Sequence, residues 1–188
     1  YPMMKEEATL YDQILIKDAD GNFKYEKPIY VNQRYPWQNY ENVSLGANVT
    51  APTVNNSVGQ YKRTFTVPSD WDGRDVFVSF EGVESAFYLY VNGQRVGYGE
   101  DSYTTDEFNI TSYLKKGENT IAVEVYRWST GSYLENQDFI RMSGIFRDVN
   151  LYSKAKVEMR DLFVKTDLDN NYKDATLTLD ADIRNLGD

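Results

Sequence analysis

The fold is decided by residues 87–98, which read Phe-Tyr-Leu-Tyr-Val-Asn-Gly-Gln-Arg-Val-Gly-Tyr. The first five residues are apolar or aromatic at every position, which is typical of a strand covered on both faces. Asn92-Gly93 follows, and this pair predicts a tight hairpin because both central residues of a type I′ turn need a positive φ. Residues 94–98 then return along the first strand. The segment therefore predicts an antiparallel hairpin within an all-β domain.

Strand patterns continue on both sides of this hairpin. Apolar and polar residues alternate from Tyr61 to Val67 and again across Val76, Val78 and Phe80, and the two runs stop at Pro68 and Gly82. Further strands are predicted at 120–126 and 145–152, whereas 106–114 fits either a short strand or a helical turn. About eight strands without a long helix predict an antiparallel β-sandwich.

The pattern changes after Lys154. Two more alternating runs, 159–165 and 175–183, are joined by a polar turn at 167–171. Two strands cannot bury a sandwich core by themselves. We therefore expect a first domain over residues 1–153 and the truncated start of a second domain over 154–188.

Composition excludes several classes of function. The 188 residues include no cysteine and no histidine, so disulfides, thiolate nucleophiles and Ser-His-Asp catalysis are excluded. The net charge of −9 argues against a nucleic-acid partner. The sequence has no apolar run near the roughly 20 residues that a membrane helix needs, and no signal peptide opens it. We expect a cytoplasmic protein, with the cell surface or secretion as alternatives.

Residues 127–148 form a long segment without a sustained period of 2 or 3.6, and such loops in compact domains usually carry function. Its carboxylates and amides, Glu135, Asn136, Gln137 and Asp138, suit the hydroxyls of a polyol. The alternative is a structural loop in which Arg127, Arg141 and Arg147 pair with Glu135, Asp138 and Asp148.

This segment resembles the signature of the large bacterial β-galactosidases of glycoside hydrolase family 2, R-W-S-x-G-S-Y-L-E-D-Q-D followed by R-x-S-G-I-F-R-D-V. The chain matches at 127–138 and 141–149, and departs from the signature at Asn136 and at Phe139-Ile140. A second family string, P-I-Y-x-N-x-x-Y-P, matches residues 28–36.

The resemblance implies a fold. Residues 59–152 look like the family's N-terminal jelly-roll domain, a β-sandwich similar to galactose-binding domains. Most matches there, such as the Gly82–Phe87 string and Asn92-Gly93, mark the fold. The resemblance also implies that residues 154–188 open an immunoglobulin-like domain.

Site residues follow from the same resemblance. In this family Asn32 and Asp138 would lie beside the galactosyl group, and Asp138 would also bind a sodium ion. Glu135 is a weaker sugar-binding candidate that could instead only support the loop. The alternatives are a turn-capping amide for Asn32 and an ion pair with Arg141 for Asp138. Trp128 is more typical of a core residue than of a stacking platform, and Asn56 of a turn residue.

The resemblance places both catalytic glutamates, and the magnesium site, on a separate (β/α)₈ barrel. None of the 29 acidic residues lies in a catalytic motif, so this chain should be inactive alone. We expect a non-catalytic domain of a retaining β-galactosidase that cleaves β-galactosides such as lactose, with the barrel of the same protein as its partner and a homo-oligomer left open. The rival interpretations are a free-standing carbohydrate-binding module and a purely structural interface domain.

Overall fold

The computed structural model describes residues 19–21, 29–31, 51–53, 56–135, 139–141 and 143–187, with the backbone alone at 29–31, 139 and 140. This part of the chain contains thirteen strands, with these bounds: β1 Ile29–Val31, β2 Val58–Thr66, β3 Asp75–Phe80, β4 Val83–Glu84, β5 Ala86–Val91, β6 Gln94–Glu100, β7 Asp106–Asn109, β8 Glu118–Tyr126, β9 Phe139–Arg141, β10 Gly144–Ile145, β11 Val149–Lys154, β12 Val157–Leu168 and β13 Ala175–Asn185.

Helical structure is brief in the same ranges. It comprises one four-residue helix, α1 (Gly131–Leu134), and two 3-10 turns, Ser69–Trp71 and Thr111–Tyr113. None of these helices is long and apolar enough to span a lipid bilayer. The predicted all-β class is confirmed. Residues 106–114 contain both of the predicted alternatives, because β7 is followed directly by a 3-10 turn.

Two antiparallel sheets form the sandwich. One has the strand order β2-β8-β5-β6 and the other has the order β11-β3-β7. The predicted hairpin joins β5 to β6, and its two turn residues have positive φ, 51° at Asn92 and 80° at Gly93. The side chain of Asn92 also donates to the carbonyl of Tyr113 at 2.9 Å. The turn is therefore tied to the chain that precedes β8.

The core lies between the sheets. β3 contributes Val76, Val78 and Phe80, which pack against Phe87, Leu89 and Val91 of β5 and against Val123 and Val125 of β8. The rings of Phe80 and Phe87 are 4.7 Å apart. Each such side chain contributes about 1.5–3 kcal/mol through burial. Alternate residues of β5 thus face the core, and the other half faces outward.

β3 is buried on both faces although its sequence alternates. All six of its residues are buried, including Asp75, Phe77 and Ser79, which point away from the core. The ring of Tyr152 stacks on Phe77 at 5.7 Å, and Lys154 lies over the same ring at 4.7 Å. Side chains of β11 therefore cover the outer face of the central strand.

The single strand predicted over 145–152 is wrong in extent, because the structure has two strands there. β10 pairs with β4, whereas β11 pairs with β3. Residues 146–148 between the two strands belong to neither of them, and there the Phe146 N–H donates to the carbonyl of Gly82 at 3.3 Å. The alternating run over 145–152 is divided because its two parts pair with strands of different sheets.

β12 and β13 form a long hairpin, and among the described strands they pair only with each other. The two strands extend beyond the predicted ranges and are exposed over most of their length. Ion pairs join β12 to the sandwich, with Arg160 at 3.1 Å from Glu107, and Lys156, just before β12, at 2.6 Å from Asp75. The domain boundary at 153/154 remains a prediction.

Candidate functional site

The loop that follows β8 begins with a buried anchor. Asn56 holds Trp128 through both of its amide groups, since its Nδ2 donates to the Trp128 carbonyl and its Oδ1 accepts from the Trp128 N–H, each at 2.9 Å. Trp128 is buried, with the guanidinium of Arg127 5.2 Å from its ring. Trp128 is therefore a core residue, as expected, and Asn56 bridges two loops across 72 positions of sequence.

Glu100 fixes the start of α1. Its Oε1 accepts hydrogen bonds from the Thr130 hydroxyl at 2.8 Å and from the Gly131 N–H at 2.5 Å, and its Oε2 accepts from the Tyr98 hydroxyl at 2.6 Å. Partial burial acts to raise the pKa of Glu100, but these three hydrogen bonds outweigh it and leave the pKa below its usual value. A charged carboxylate therefore ties the loop to the end of β6.

Glu135, the weaker sugar-binding candidate, lies at the end of α1. Its two carboxylate oxygens accept hydrogen bonds from the backbone N–H and the hydroxyl of Ser102, both at 2.7 Å. Ser102 is fully buried. These contacts support the alternative in which Glu135 braces the loop, and its role in sugar binding remains a prediction.

Arg141 and Glu84 form a buried ion pair at the other end of the loop. Arg141 is 1% exposed, and its Nη1 lies 3.3 Å from Glu84 Oε1. The second oxygen of Glu84 accepts from the Ser143 N–H at 2.9 Å, and Arg141 Nη2 donates to the carbonyl of Glu135. Charge and hydrogen bonding thus join both ends of the loop to β4.

The structural alternative for this loop predicts that its arginines pair with carboxylates of the same loop, and the contacts of Arg141 and Arg147 include other acceptors. Arg141 meets Glu135 through the backbone carbonyl, and Arg147 donates to the carbonyls of Glu81 and Tyr103 at 3.3 and 3.2 Å. Arg141 thus contacts Glu84 through a carboxylate and Glu135 through a backbone carbonyl, and the pairing of Arg141 with Asp138 stays a prediction because Asp138 lies outside the described residues.

A short ladder brings the two family strings together. β1 and β9 are antiparallel, with Ile29 opposite Arg141 and Val31 opposite Phe139. Asn32 and Asp138, the two principal site predictions, lie outside the described residues. They are the chain neighbours of Val31 and Phe139, so this ladder joins the two segments that carry them.

The described ranges hold no group of three or more acidic, histidine or cysteine side chains that could bind a metal ion. A single carboxylate such as that of Asp138 suits a hard cation that takes its other oxygen ligands elsewhere.

Glu84, Glu100 and Ser102 position the loop, and none of them was among the predicted site residues. Glu84 lies in the Gly82–Phe87 string, which carried a signal but was interpreted as a fold marker. Glu100 and Ser102 gave no local signal because their contacts with the loop span 30 to 33 positions of sequence.

The family model for the sugar-binding domain of glycosyl hydrolases family 2 matches residues 11–155. The chain is 59% identical over 161 residues to a beta-galactosidase of Priestia megaterium, covering 86% of this chain and 15% of that protein. It is 44% identical over 166 residues to a beta-galactosidase of Clostridium acetobutylicum, covering 87% of this chain and 18% of that protein.

Among solved structures, the beta-glucuronidase of Bacteroides uniformis superposes with a TM-score of 0.62 at 27% identity, covering 69% of this chain and 16% of that protein. The chain thus spans less than a fifth of the length of the relatives it matches. The antiparallel sandwich and the family model agree, and the chain belongs to glycosyl hydrolase family 2 through that family's sugar-binding domain.

Proposed function

We propose that the chain acts, within a longer protein, as the non-catalytic sugar-binding domain of a retaining β-galactosidase that hydrolyses terminal β-D-galactosyl residues. The observation that carries this proposal is the 59% identity to a beta-galactosidase over 86% of the chain. The likeness to a beta-glucuronidase is 27% and extends over 69% of the chain. Sequence similarity therefore favours galactosides, of which lactose is the expected example.

In this proposal the loop after β8 completes a galactosyl pocket built mainly by a catalytic barrel of the same protein. Asn32 and Asp138 offer an amide and a carboxylate to the sugar hydroxyls. The pairing of β1 with β9 supports their joint action, because it joins the two segments that carry them. The buried Arg141–Glu84 ion pair anchors the chain three residues after Asp138.

Sodium is the cation that we assign to Asp138. A carboxylate oxygen is a hard ligand that suits this ion, and the bound ion would supply positive charge beside the sugar hydroxyls. Magnesium is assigned to the barrel, as the family resemblance implies. A bacterial cytoplasmic location and a homo-oligomeric enzyme are further expectations of the proposal.

The test is Asp138→Asn, made both in this 188-residue chain and in the longer enzyme that contains it. The substitution keeps size and removes charge. Hydrogen bonds to charged groups contribute about 1.5–3 kcal/mol, so kcat/KM for a β-galactoside should fall about tenfold to a hundredfold or more. The melting temperature of the short chain should stay nearly unchanged. A lowered melting temperature with normal turnover would show instead that Asp138 is a structural partner of Arg141.

A further inference from the structure

A hollow opens at the end of the sandwich that lies opposite the candidate loop. The loop follows Tyr126, the last residue of β8, whereas the hollow is lined by Lys116 and Gly117, which lie just before the first residue of that strand. A strand of nine residues is about 25–30 Å long, so the length of β8 separates the hollow from the loop. The hollow measures about 580 Å³, within the usual range for ligand pockets.

Two bends of the chain form the sides of this hollow. One side is the segment between β2 and β3, which contains the 3-10 turn that ends at Trp71, and the other side is the segment that precedes β8. Gly73 and Gly117, one in each segment, have φ of +72° and +83°, and the space that an added Cβ would occupy is open at both. Glycine adopts such φ values without strain, so these two positions turn the chain and leave the mouth of the hollow open.

The floor of the hollow is apolar. Val76 belongs to the buried core, and Val67, Leu114 and Trp71 pack against that core while they remain partly accessible. The Thr111 hydroxyl oxygen accepts from the Val76 N–H at 2.9 Å, so this backbone donor of the floor is already satisfied. The indole of Trp71 adds a flat aromatic surface. The floor therefore suits the ring system of an aromatic ligand, since flat rings pack well on such surfaces.

Positive charge surrounds the apolar floor. Four of the residues that line the hollow are cationic: Arg74, Lys115, Lys116 and Lys156. Asp72 is the one acidic residue among the described residues that line it, and Lys156 pairs with the nearby Asp75 at 2.6 Å. With Asp72 and Asp75 counted against the four cations, two positive charges remain, in a chain whose net charge is −9. We call this site the cationic hollow.

Arg74 is held in place and keeps hydrogen-bond donors for a ligand. Its Nε donates to the Ser153 hydroxyl at 2.8 Å, and its Nη2 donates to the Ser153 carbonyl at 3.1 Å. A guanidinium has five N–H donors, so these two bonds leave the donors of Nη1 for another acceptor. Lys115 and Lys116 are exposed, and their long side chains can bring two ammonium groups to the same anion. One oriented guanidinium and two adjustable charges suit a carboxylate.

We propose that the cationic hollow binds a small aromatic carboxylate, with its ring system on the floor beside Trp71 and its carboxylate at the rim near Arg74 and Lys116. Charge complementarity favours an anion over a neutral sugar. The apolar floor favours a ring system over an inorganic anion such as phosphate. The inference goes beyond the proposed function, because the hollow lies at the opposite end of β8 from the loop and takes a ligand of a different chemical class.

The experiment is an NMR titration of the 188-residue chain with naphthalene-2-carboxylate and with naphthalene-2-carboxamide, which has nearly the same shape and no charge. We expect the carboxylate to shift the backbone amide signals of Gly73 and Gly117 and the indole N–H signal of Trp71, with a dissociation constant on the order of 1 mM or tighter. The carboxamide should bind at least about fivefold more weakly. Raising the salt concentration from about 0.02 M to about 0.5 M should weaken binding of the carboxylate alone, because salt screens exposed charges.

Substitutions at the rim test the charges separately. The double variant Lys115→Gln with Lys116→Gln should weaken carboxylate binding about fivefold, because each exposed charge makes a modest contribution. Lys173→Gln, at an equally exposed lysine in the turn of the β12–β13 hairpin, is the control and should bind normally. Asp72→Asn should strengthen binding about twofold, whereas Asp70→Asn should change it less, because Asp70 lies in the same segment but does not line the hollow.

Thermal unfolding shows whether each variant is folded, and all five positions are exposed, so we expect normal melting. The inference is overturned if the carboxylate causes no shift at the hollow or shifts signals elsewhere instead. It is also overturned if the carboxamide binds as tightly as the carboxylate, or if the double lysine variant binds as tightly as the unaltered chain.

Discussion

Ser102 donates two hydrogen bonds to Glu135, one to each carboxylate oxygen, at 2.7 Å from its backbone N–H and 2.7 Å from its hydroxyl. Ser102 follows β6 and Glu135 ends α1, so the pair joins the candidate loop to the sandwich. Both donors belong to one buried residue, so the Glu135 carboxylate makes a structural contact between the loop and the sandwich.

Glu135→Gln should destabilise the 188-residue chain by about 1–2 kcal/mol, because an amide group presents one N–H₂ where two acceptors are needed. The melting temperature should fall by about 2–8 °C. Glu118→Gln, at the exposed start of β8, is the matched control and should have little effect. If Glu135→Gln melts like the unaltered chain while galactoside turnover in the longer enzyme falls, Glu135 serves the sugar instead.

Glu84→Gln should be the most damaging of these carboxylate changes. It removes the charge of one member of the buried Arg141–Glu84 ion pair, and breaking a buried ion pair costs about 3–5 kcal/mol. Denaturant unfolding of the 188-residue chain measures the loss.

The control for this prediction is Asp180→Asn on the β12–β13 hairpin. Asp180 pairs with Lys165 at 2.7 Å, but both side chains are more than half exposed. Surface pairs contribute about 0–1 kcal/mol, so this variant should unfold almost normally. If Glu84→Gln and Asp180→Asn lower the free energy of unfolding equally, burial does not increase the contribution of the Arg141–Glu84 pair.

Local pattern was sufficient to predict β5, β6 and the turn between them, because Asn92-Gly93 and the apolar run are short-range signals. The division of 145–152 into β10 and β11 could not be predicted, since it depends on which distant strands, β4 and β3, accept each half. α1 is also invisible to periodicity, as four residues make barely one helical turn.

In the candidate site, too, some features could be predicted from the sequence and others depend on distant partners. Family strings marked the segments that contain the loop and β1, but the pairing of β1 with β9 and the contacts from Glu84, Glu100 and Ser102 became apparent only in three dimensions. Contacts across 31 to 59 positions of sequence leave no local periodicity to detect.

Asp106 should make stability depend on pH. Burial raises its pKa to about 6, and the negative charge of Asp101 adds to the effect. A raised carboxyl pKa means that folding favours the protonated form. The contribution of Asp106 is therefore fully present below its unfolded pKa of about 3.8 and is lost as the pH rises through about 6.

Asp106→Asn, which mimics the protonated form, should raise the melting temperature at pH 7.5 by about 2–4 °C, the size expected if solvent screening limits the effect to about 1 kcal/mol. At pH 4 the variant and the unaltered chain should melt alike. Asp70→Asn, an exposed acid in a 3-10 turn, is the control. A variant that is less stable at pH 7.5 would show that Asp106 makes a favourable contact as a carboxylate.

The β12–β13 hairpin should exchange its amide hydrogens faster than the sandwich. β13 pairs only with β12 among the described strands, and its side chains are exposed, whereas β8 lies between β2 and β5 with Val123 and Val125 in the core. Opening the hairpin therefore exposes little apolar surface, so its opening free energy should be well below that of global unfolding. Amides of residues 175–185 should lose protection before those of 118–126.

The measurement should be repeated at several protein concentrations, because a second copy packed on the hairpin would slow exchange only at high concentration. Equal protection of β13 and β8 on dilution would show that the hairpin belongs to the cooperative unit of the sandwich, and would move the predicted boundary at 153/154 toward the end of β13.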